Sequence, residues 1–403
     1  MSEFKFKNKL ILGDSIEIMK KFPSNFFHAI ITDPPYGIEL MGLDWDSKFK
    51  HDSVIHSINL GLQEYDDVLE GYYKFSFAWG REAYRILKPG GHLLSFSSIK
   101  TQDILSLALR RIGYWKRDII MWAYSSGFPK GRDISKSFDI EAGVLDDREK
   151  ICVNPNYRKS KKRGAAGFGR LLELNVPLDR PQAEKFYITK PVTEEAKKWD
   201  GWHTNLRPAY EPIVMFMKPF EGSFTDNLRL NEVGALNIDA TRIPFRNKSN
   251  NKPKSRPKVI GKTPFPSDFN KAGYWDSNIK GDRSVYIANP SGRYPTNIVR
   301  TNAFNDGYDH VFLIPKPSVR EKGSFNSHPS VKPLNLMEHL VKLVVREDQY
   351  VLDPFVGSGT TCLACFLHNI NFVGIDMNRK YLQIAIRRLK NAKKSTKLET
   401  LLE

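Results

Sequence analysis

Residues 32–37 read TDPPYG and follow the apolar run HAII directly. Two prolines cannot continue a strand or enter a helix interior, so the chain leaves a strand here with its backbone fixed and two amide donors missing. The residues of the turn suit one kind of chemistry. The Asp33 carboxylate can accept a hydrogen bond from an exocyclic amino group. Pro34 adds a carbonyl without a competing donor, and past Pro35 the Tyr36 ring offers a face on which a planar base can stack. Read alone, the same residues could be a proline-terminated strand with a half-buried tyrosine.

A second turn, LDPFVGSGTT at 352–361, puts Asp353 at the end of a strand, Gly357 and Gly359 in the bend, and Thr360 and Thr361 at a helix start. Such a bend is the ligand crevice of an open α/β sheet, where glycines admit close backbone approach. About twenty residues on, Asp376 ends the next strand in VGID, where an acidic side chain accepts hydrogen bonds from ribose hydroxyls. Together these features specify a nucleoside-containing cofactor. A third glycine at the pyrophosphate-binding offset is missing, which disfavours NAD and FAD. S-adenosylmethionine has a ribose and a carboxylate but no phosphate, and needs only the acidic residue, the glycine approach and a few donors.

Both turns need strands that end on one edge of one sheet. KLILG, HAIITDPPY, HLLSFSS and DIIMWAYS read as strands in the first 130 residues, with helical spacing in DSIEIMKKF, FAWGREAYRIL and TQDILSLALRRIGY and a turn at KPGG. The helix at DSIEIMKKF starts at Asp14 or Ser15. The pattern lapses, returns briefly in PAYEPIVMFMKPF, and resumes after residue 327, where Pro333 announces a helix and QYVLDPF and NFVGID read as strands. The expected architecture is one doubly wound α/β domain assembled from both ends of the chain. Residues 350–376 supply its first two strands, and 9–13 and 28–33 the next two, so that Asp33 comes beside Gly357.

The chain has 403 residues, with Lys plus Arg at 62 against 45 Asp plus Glu, a formal net charge of +17 that favours a polyanionic partner. The basic run Arg158, Lys159, Lys161, Lys162 and Arg163 suits phosphate contact, with a solvated loop as the alternative. Tyr157, Trp199, Trp202 and Trp275 are candidates to stack on bases, or are buried anchors. Three cysteines are too few for a disulfide framework or a four-ligand zinc site, and no metal is expected. Cys362 and Cys365 lie in an apolar helical stretch and read as core. No apolar run is long enough to span a membrane, and the N-terminus lacks a cleavable apolar leader, so a soluble cytoplasmic protein is expected.

With both turns in place, the chain resembles the amino-methyltransferases of DNA, which methylate adenine N6 or cytosine N4. It is similar to the permuted group in which the catalytic DPPY precedes the S-adenosylmethionine turn, here DPFVGSG. Phage and prophage members look closest, through SSGFPKG, RPAYEPIVMFMKPFEG, GALNIDATRIP and SVKPLNLMEHLV. The resemblance covers most of the chain and thins across 140–200 and 246–325. It implies a circularly permuted, doubly wound Rossmann-like methyltransferase fold with inserted target-recognition regions. The catalytic half with DPPY is expected at 1–130, a basic insertion at 131–207, a strand returning to the sheet at 208–220, the target-recognition region at 221–326 and the cofactor half at 327–403.

By the same resemblance Asp14 approaches the cofactor adenine, and HPSVKP, with Lys332, sits by the methionine moiety. Asp353, Pro354, Phe355, Gly357, Ser358, Gly359, Thr360 and Asp376 form the rest of the cofactor site. Asp33, Pro34, Pro35 and Tyr36 are implied to act on a base flipped out of duplex DNA, without a protein nucleophile. Adenine enzymes of this kind usually carry Asp first in the turn and cytosine N4 enzymes Ser, which places Asp33 on the adenine side. Cytosine N4, an RNA or protein methyltransferase, and a non-catalytic DNA-binding subunit are the other readings. Chain order counts against the RNA and protein enzymes, and two intact motifs against the non-catalytic subunit. The expected partner is double-stranded DNA, with a homodimer and a restriction endonuclease partner left open.

Overall fold

The computed structural model describes residues 6–36, 67–124, 131–153, 187–243, 294–300, 312–314 and 316–395. The basic run 158–163, Tyr157 and Trp275 lie outside them. The described elements are, in chain order, β1 (Lys9–Leu12), α1 (Ser15–Met19), β2 (Phe27–Thr32), α2 (Asp67–Ile86), β3 (Leu87–Phe96), α3 (Gln102–Ile112), β4 (Trp115–Ala123) and α4 (Ile134–Glu141). There follow β5 (Lys150–Val153), β6 (Tyr187–Thr189), α5 (Glu194–Lys198), β7 (Tyr210–Met217), α6 (Phe224–Asn231), β8 (Ile298–Arg300), β9 (Phe312–Leu313) and α7 (Val319–Lys322). The C-terminal part adds α8 (Leu334–Val344), β10 (Tyr350–Asp353), α9 (Thr360–Leu367), β11 (Asn371–Asp376) and α10 (Arg379–Ser395).

Every residue of β2 and β10 is buried, as strands covered on both faces must be. Their side chains alternate between two cores. Ile31 and Val351 face one that holds Leu336, Leu340 and Ala364 of α8 and α9. Ile30 and Leu352 face the other, with Trp79 of α2 and Leu105 of α3. The result is a sheet with helices on both faces, in the order β1-β11-β10-β2-β3-β7-β4-β8-β9. The strands from β1 to β3 are parallel, β7 runs against both its neighbours, and β8 and β9 follow β4. The C-terminal β10 and β11 lie between the N-terminal β2 and β1. The parallel part of the sheet is therefore built from the two ends of the chain.

Two local features differ from the sequence reading. KPGG is a bulge inside β3 rather than a turn before it: Phe27 pairs with Leu87 and Ala29 with His92, so four residues, 88–91, stand opposite one. Gly90 has φ +80°, and a Cβ there would sit 2.1 Å from the Asn227 amide nitrogen, which explains the glycine. The second difference is that β8 and β9, within 221–326, extend the main sheet past β4.

The 131–153 and 187–207 segments hold α4, the β5–β6 hairpin and α5 around Asp139. Asp139 is fully buried, pairs with Arg148 and accepts from Thr193 N (3.0 Å) and Val192 N (3.1 Å). Trp199 and Trp202 pack edge to face on this unit, and Trp202 is 61% exposed.

Candidate active site

The carboxyl ends of β10 and β11 shape one wall of a cleft of about 800 Å³. Asp353 closes its floor. It is buried, and it accepts from Thr32 Oγ1 (2.7 Å), Thr361 Oγ1 (2.6 Å) and Phe355 N (3.1 Å). Burial raises its carboxyl pKa to about 7, against those hydrogen bonds, which favour the anion. Asp353 therefore organises the turn more than it faces the cleft. Asp376, at the end of β11, accepts from Gly357 N at 2.8 Å and from Asn378 N at 2.7 Å, and burial raises its pKa too.

The two glycines of the turn do different work. Gly357 faces the cleft with φ +48°, under the His328 ring, whose Nε2 would lie 2.7 Å from an added Cβ. Gly359 does not line the cleft: with φ +78° it lets α9 start against α10, where a Cβ would meet that of Ala385 at 2.6 Å. Ser358 and Thr360 line the cleft and receive the Arg388 guanidinium, at 2.8 Å for Thr360 Oγ1. Phe355 forms an apolar wall against Phe75 and Trp79. Pro354 is outside the wall, its carbonyl taken by the Ser15 hydroxyl. Asp14 lines the cleft and caps α1, accepting from Glu17 N at 3.0 Å.

The same cleft is lined by Asp33, Pro34, Pro35 and Tyr36, just past β2, the strand beside β10. Tyr36 Oη donates to Asp33 Oδ1 at 2.5 Å, and Thr101 Oγ1 donates to the Tyr36 carbonyl at 2.9 Å, so the ring is held from both ends. Burial first, then the Asp33 charge, push the Tyr36 pKa well above the usual phenol value, leaving a neutral ring at working pH. Lys332, which the resemblance puts by the methionine moiety, lines the cleft and turns its ammonium to Asp33 Oδ2 at 2.5 Å. Burial alone would depress that ammonium, but Asp33 and Glu211 outweigh it and raise its pKa.

Glu211 had no assigned role in the sequence, and His328 was covered only as the first residue of HPSVKP. Glu211 stands in RPAYEP, and its signal was there: a strand running antiparallel to β3 must begin at the edge where β2 ends. His328, in HPSVKP, is held neutral by burial, with its pKa lowered to about 4.

The donor set fits a ribose-bearing ligand. Asp14, Asp33, Asp353 and Asp376 line the cleft together with Lys332, Arg379 and Lys380, so carboxylate acceptors for hydroxyl and amino groups stand beside cations that can meet a carboxylate. Val356, Phe355 and Met377 give apolar surface beside them.

Residues 27–387 match the profile of the DNA methylase family that comprises N6 and N4 enzymes. This chain belongs to that family. As a DNA methylase of the N6/N4 type it uses S-adenosylmethionine as methyl donor and DNA as substrate. Over 398 residues it is 26% identical to the type II methyltransferase M.HindIII of Haemophilus influenzae, spanning 94% of this chain and 93% of that protein. It is 22% identical to M.HpaI of Haemophilus parainfluenzae over 382 residues, 94% of this chain and 74% of that one. Among solved structures, the cytosine-N4-specific PvuII DNA methyltransferase aligns with a TM-score of 0.47 at 12% identity, covering 95% and 88% of the two chains. The M1.HpyAVI complex with S-adenosylmethionine aligns at 0.40 and 17% identity, covering 94% and 98%. No helix among the described residues is long and apolar enough to cross a membrane.

Proposed function

We propose that this DNA methylase methylates adenine N6, on a base flipped out of the duplex into the cleft beside Tyr36. The observation that carries the reading is the pairing of Asp33 and Tyr36 by a 2.5 Å hydrogen bond in the cleft that Gly357 and Asp376 also line. S-adenosylmethionine, when bound, supplies an electrophilic methyl group on a sulfonium. Each Asp33 oxygen already accepts one hydrogen bond and keeps a lone pair for the target amino group. The Pro34 carbonyl is the natural second acceptor. Holding both amino protons orients the nitrogen and raises electron density on it, and the fixed Tyr36 ring stacks on the extruded base.

On the cofactor side, Asp376 and Asp14 are the acceptors for ribose and adenine, and Gly357 admits the ligand against the backbone. The 131–207 insertion and the 221–326 region are the proposed DNA-contacting parts, with the 158–163 run on the phosphates. Kinship with type II methyltransferases makes a cognate restriction endonuclease, and a homodimer, natural partners to look for.

Adenine is favoured over cytosine N4 by Asp33 at the first place of the turn. The acceptors alone suit either exocyclic amine, which keeps cytosine N4 as the second reading. Duplex DNA methylated by the purified protein, digested to nucleosides and separated by mass spectrometry, should contain N6-methyladenine. Finding N4-methylcytosine alone would overturn the adenine assignment. Asp33→Ala should lose roughly two to three orders of magnitude in turnover while DNA binding survives.

A further inference from the structure

Three neighbouring strand ends meet at one edge of the sheet: Asp33 follows β2, Phe96 ends β3, and Glu211 lies near the start of the antiparallel β7. Lys332 spans all three. Its ammonium is 2.5 Å from Asp33 Oδ2, 3.4 Å from Glu211 Oε2 and 4.8 Å from the centre of the Phe96 ring. The residue is 8% exposed, so this is a desolvated cation between two carboxylates. Glu211 Oε2 is out of solvent, and at 3.4 Å the ammonium is its ion-pair partner rather than an aligned hydrogen-bond donor.

Methyl transfer as outlined above requires neither Lys332 nor Glu211. Their placement nevertheless governs the group that it does require. With Tyr36 Oη on one Asp33 oxygen and Lys332 on the other, the carboxylate plane cannot turn, and its spare lone pairs keep one direction. Two carboxylates and one ammonium leave a single negative charge beside a nitrogen that becomes positive as it gains the methyl group, the sign that stabilises it.

We propose that Lys332, clamped by Glu211, is a positioning residue of the methyl-transfer site that fixes the orientation of Asp33. This rests on the reading of Asp33 as the acceptor for the target amine.

The test is kcat, with unmethylated genomic DNA as substrate, for the wild type, Lys332→Met, Lys332→Arg, Glu211→Gln and Asp33→Ala. DNA binding, S-adenosylmethionine binding and thermal melting are measured on the same samples. Lys332→Met should lower kcat by about tenfold to hundredfold, with affinity for DNA and for S-adenosylmethionine each changed less than about threefold. Lys332→Arg, which keeps the cation, should restore most of the rate, and Glu211→Gln should fall between.

A folded Lys332→Met protein with wild-type kcat overturns the proposal, as does Glu211→Gln with the wild-type rate. Should Lys332→Met fail to fold, Glu211→Gln and Lys332→Arg decide by the same criteria. Full activity in Asp33→Ala would overturn the underlying reading of the acceptor, an outcome distinct from failure of the clamp alone.

Discussion

Thr32 donates its hydroxyl to Oδ1 of Asp353 at 2.7 Å, tying the last residue of β2 to the last residue of β10. The two strands come from opposite ends of the chain and pair through Val351 with Ala29 and Leu352 with Ile30. Thr361 holds the second Asp353 oxygen, so one carboxylate fastens both halves of the sheet and the start of α9. Removing a donor from a buried carboxylate leaves it short of a partner, at a cost of about 1–3 kcal/mol. Thr32→Val, nearly the same shape, should therefore lower the unfolding free energy by that amount in urea titration. Thr32→Ser should largely preserve it.

The position of Asp353 was legible in LDPF because an apolar run ending in Asp at a glycine turn has few other places in an α/β sheet. Its internal role was not, since Thr32 lies 321 residues away and nothing local in either segment announces the other. The same limit explains Lys332 and Glu211. Both stood in stretches singled out by resemblance, yet what the ammonium touches depends on how β7, β2 and the approach to α8 converge. KPGG was read as a turn because its composition is that of a turn, and the strand pairing on either side overrides it as a bulge. That one sheet joins both ends of the chain was accessible because the two interrupted α/β patterns have one simple way to join.

Gly357 and Gly359 should separate affinity from stability. An added methyl at Gly357 points at the His328 ring and the cleft, so Gly357→Ala should weaken S-adenosylmethionine binding by about tenfold or more, with a loss of about 1–2 kcal/mol for the left-handed backbone. Gly359→Ala drives its methyl into Ala385 of α10, and should lower the melting temperature more than it lowers affinity in whatever fraction folds. Calorimetric titration and thermal melting on both variants check the pair. Equal cofactor affinity in Gly357→Ala and the wild type would remove Gly357 from the binding site.

The basic run at 158–163 is assigned to phosphate contact on its sequence alone. Neutralising Lys159, Lys161 and Lys162 together should weaken binding to every DNA sequence alike, and should flatten the plot of log affinity against log salt by roughly one unit for each phosphate left unneutralised. Site preference should be untouched, since phosphates carry no sequence information. An unchanged slope would return the run to a solvated loop.

Stability should fall in mild acid, and buried histidines give the reason. Burial holds His28 at about 3 and His92, His328 and His339 at about 4, whereas each titrates near 6.5 when unfolded. Between those values the unfolded chain binds protons that the folded one refuses, so stability is present above the unfolded value and is lost as pH falls toward 4. Asp353 opposes this: its raised pKa of about 7 means that the folded state binds its proton first on acidification. Asp376, whose pKa burial also raises, adds to that offset, and four histidines against two carboxyls leave a net uptake of protons on unfolding near pH 5, so stability falls with pH there. His92 isolates the effect, because its Nδ1 is buried without a hydrogen-bond partner and an apolar replacement forfeits no bond there. Urea unfolding from about pH 7 to pH 5 should show His92→Leu with a slope shallower by close to one proton. A slope equal to that of the wild type would mean that His92 takes up its proton in the folded state.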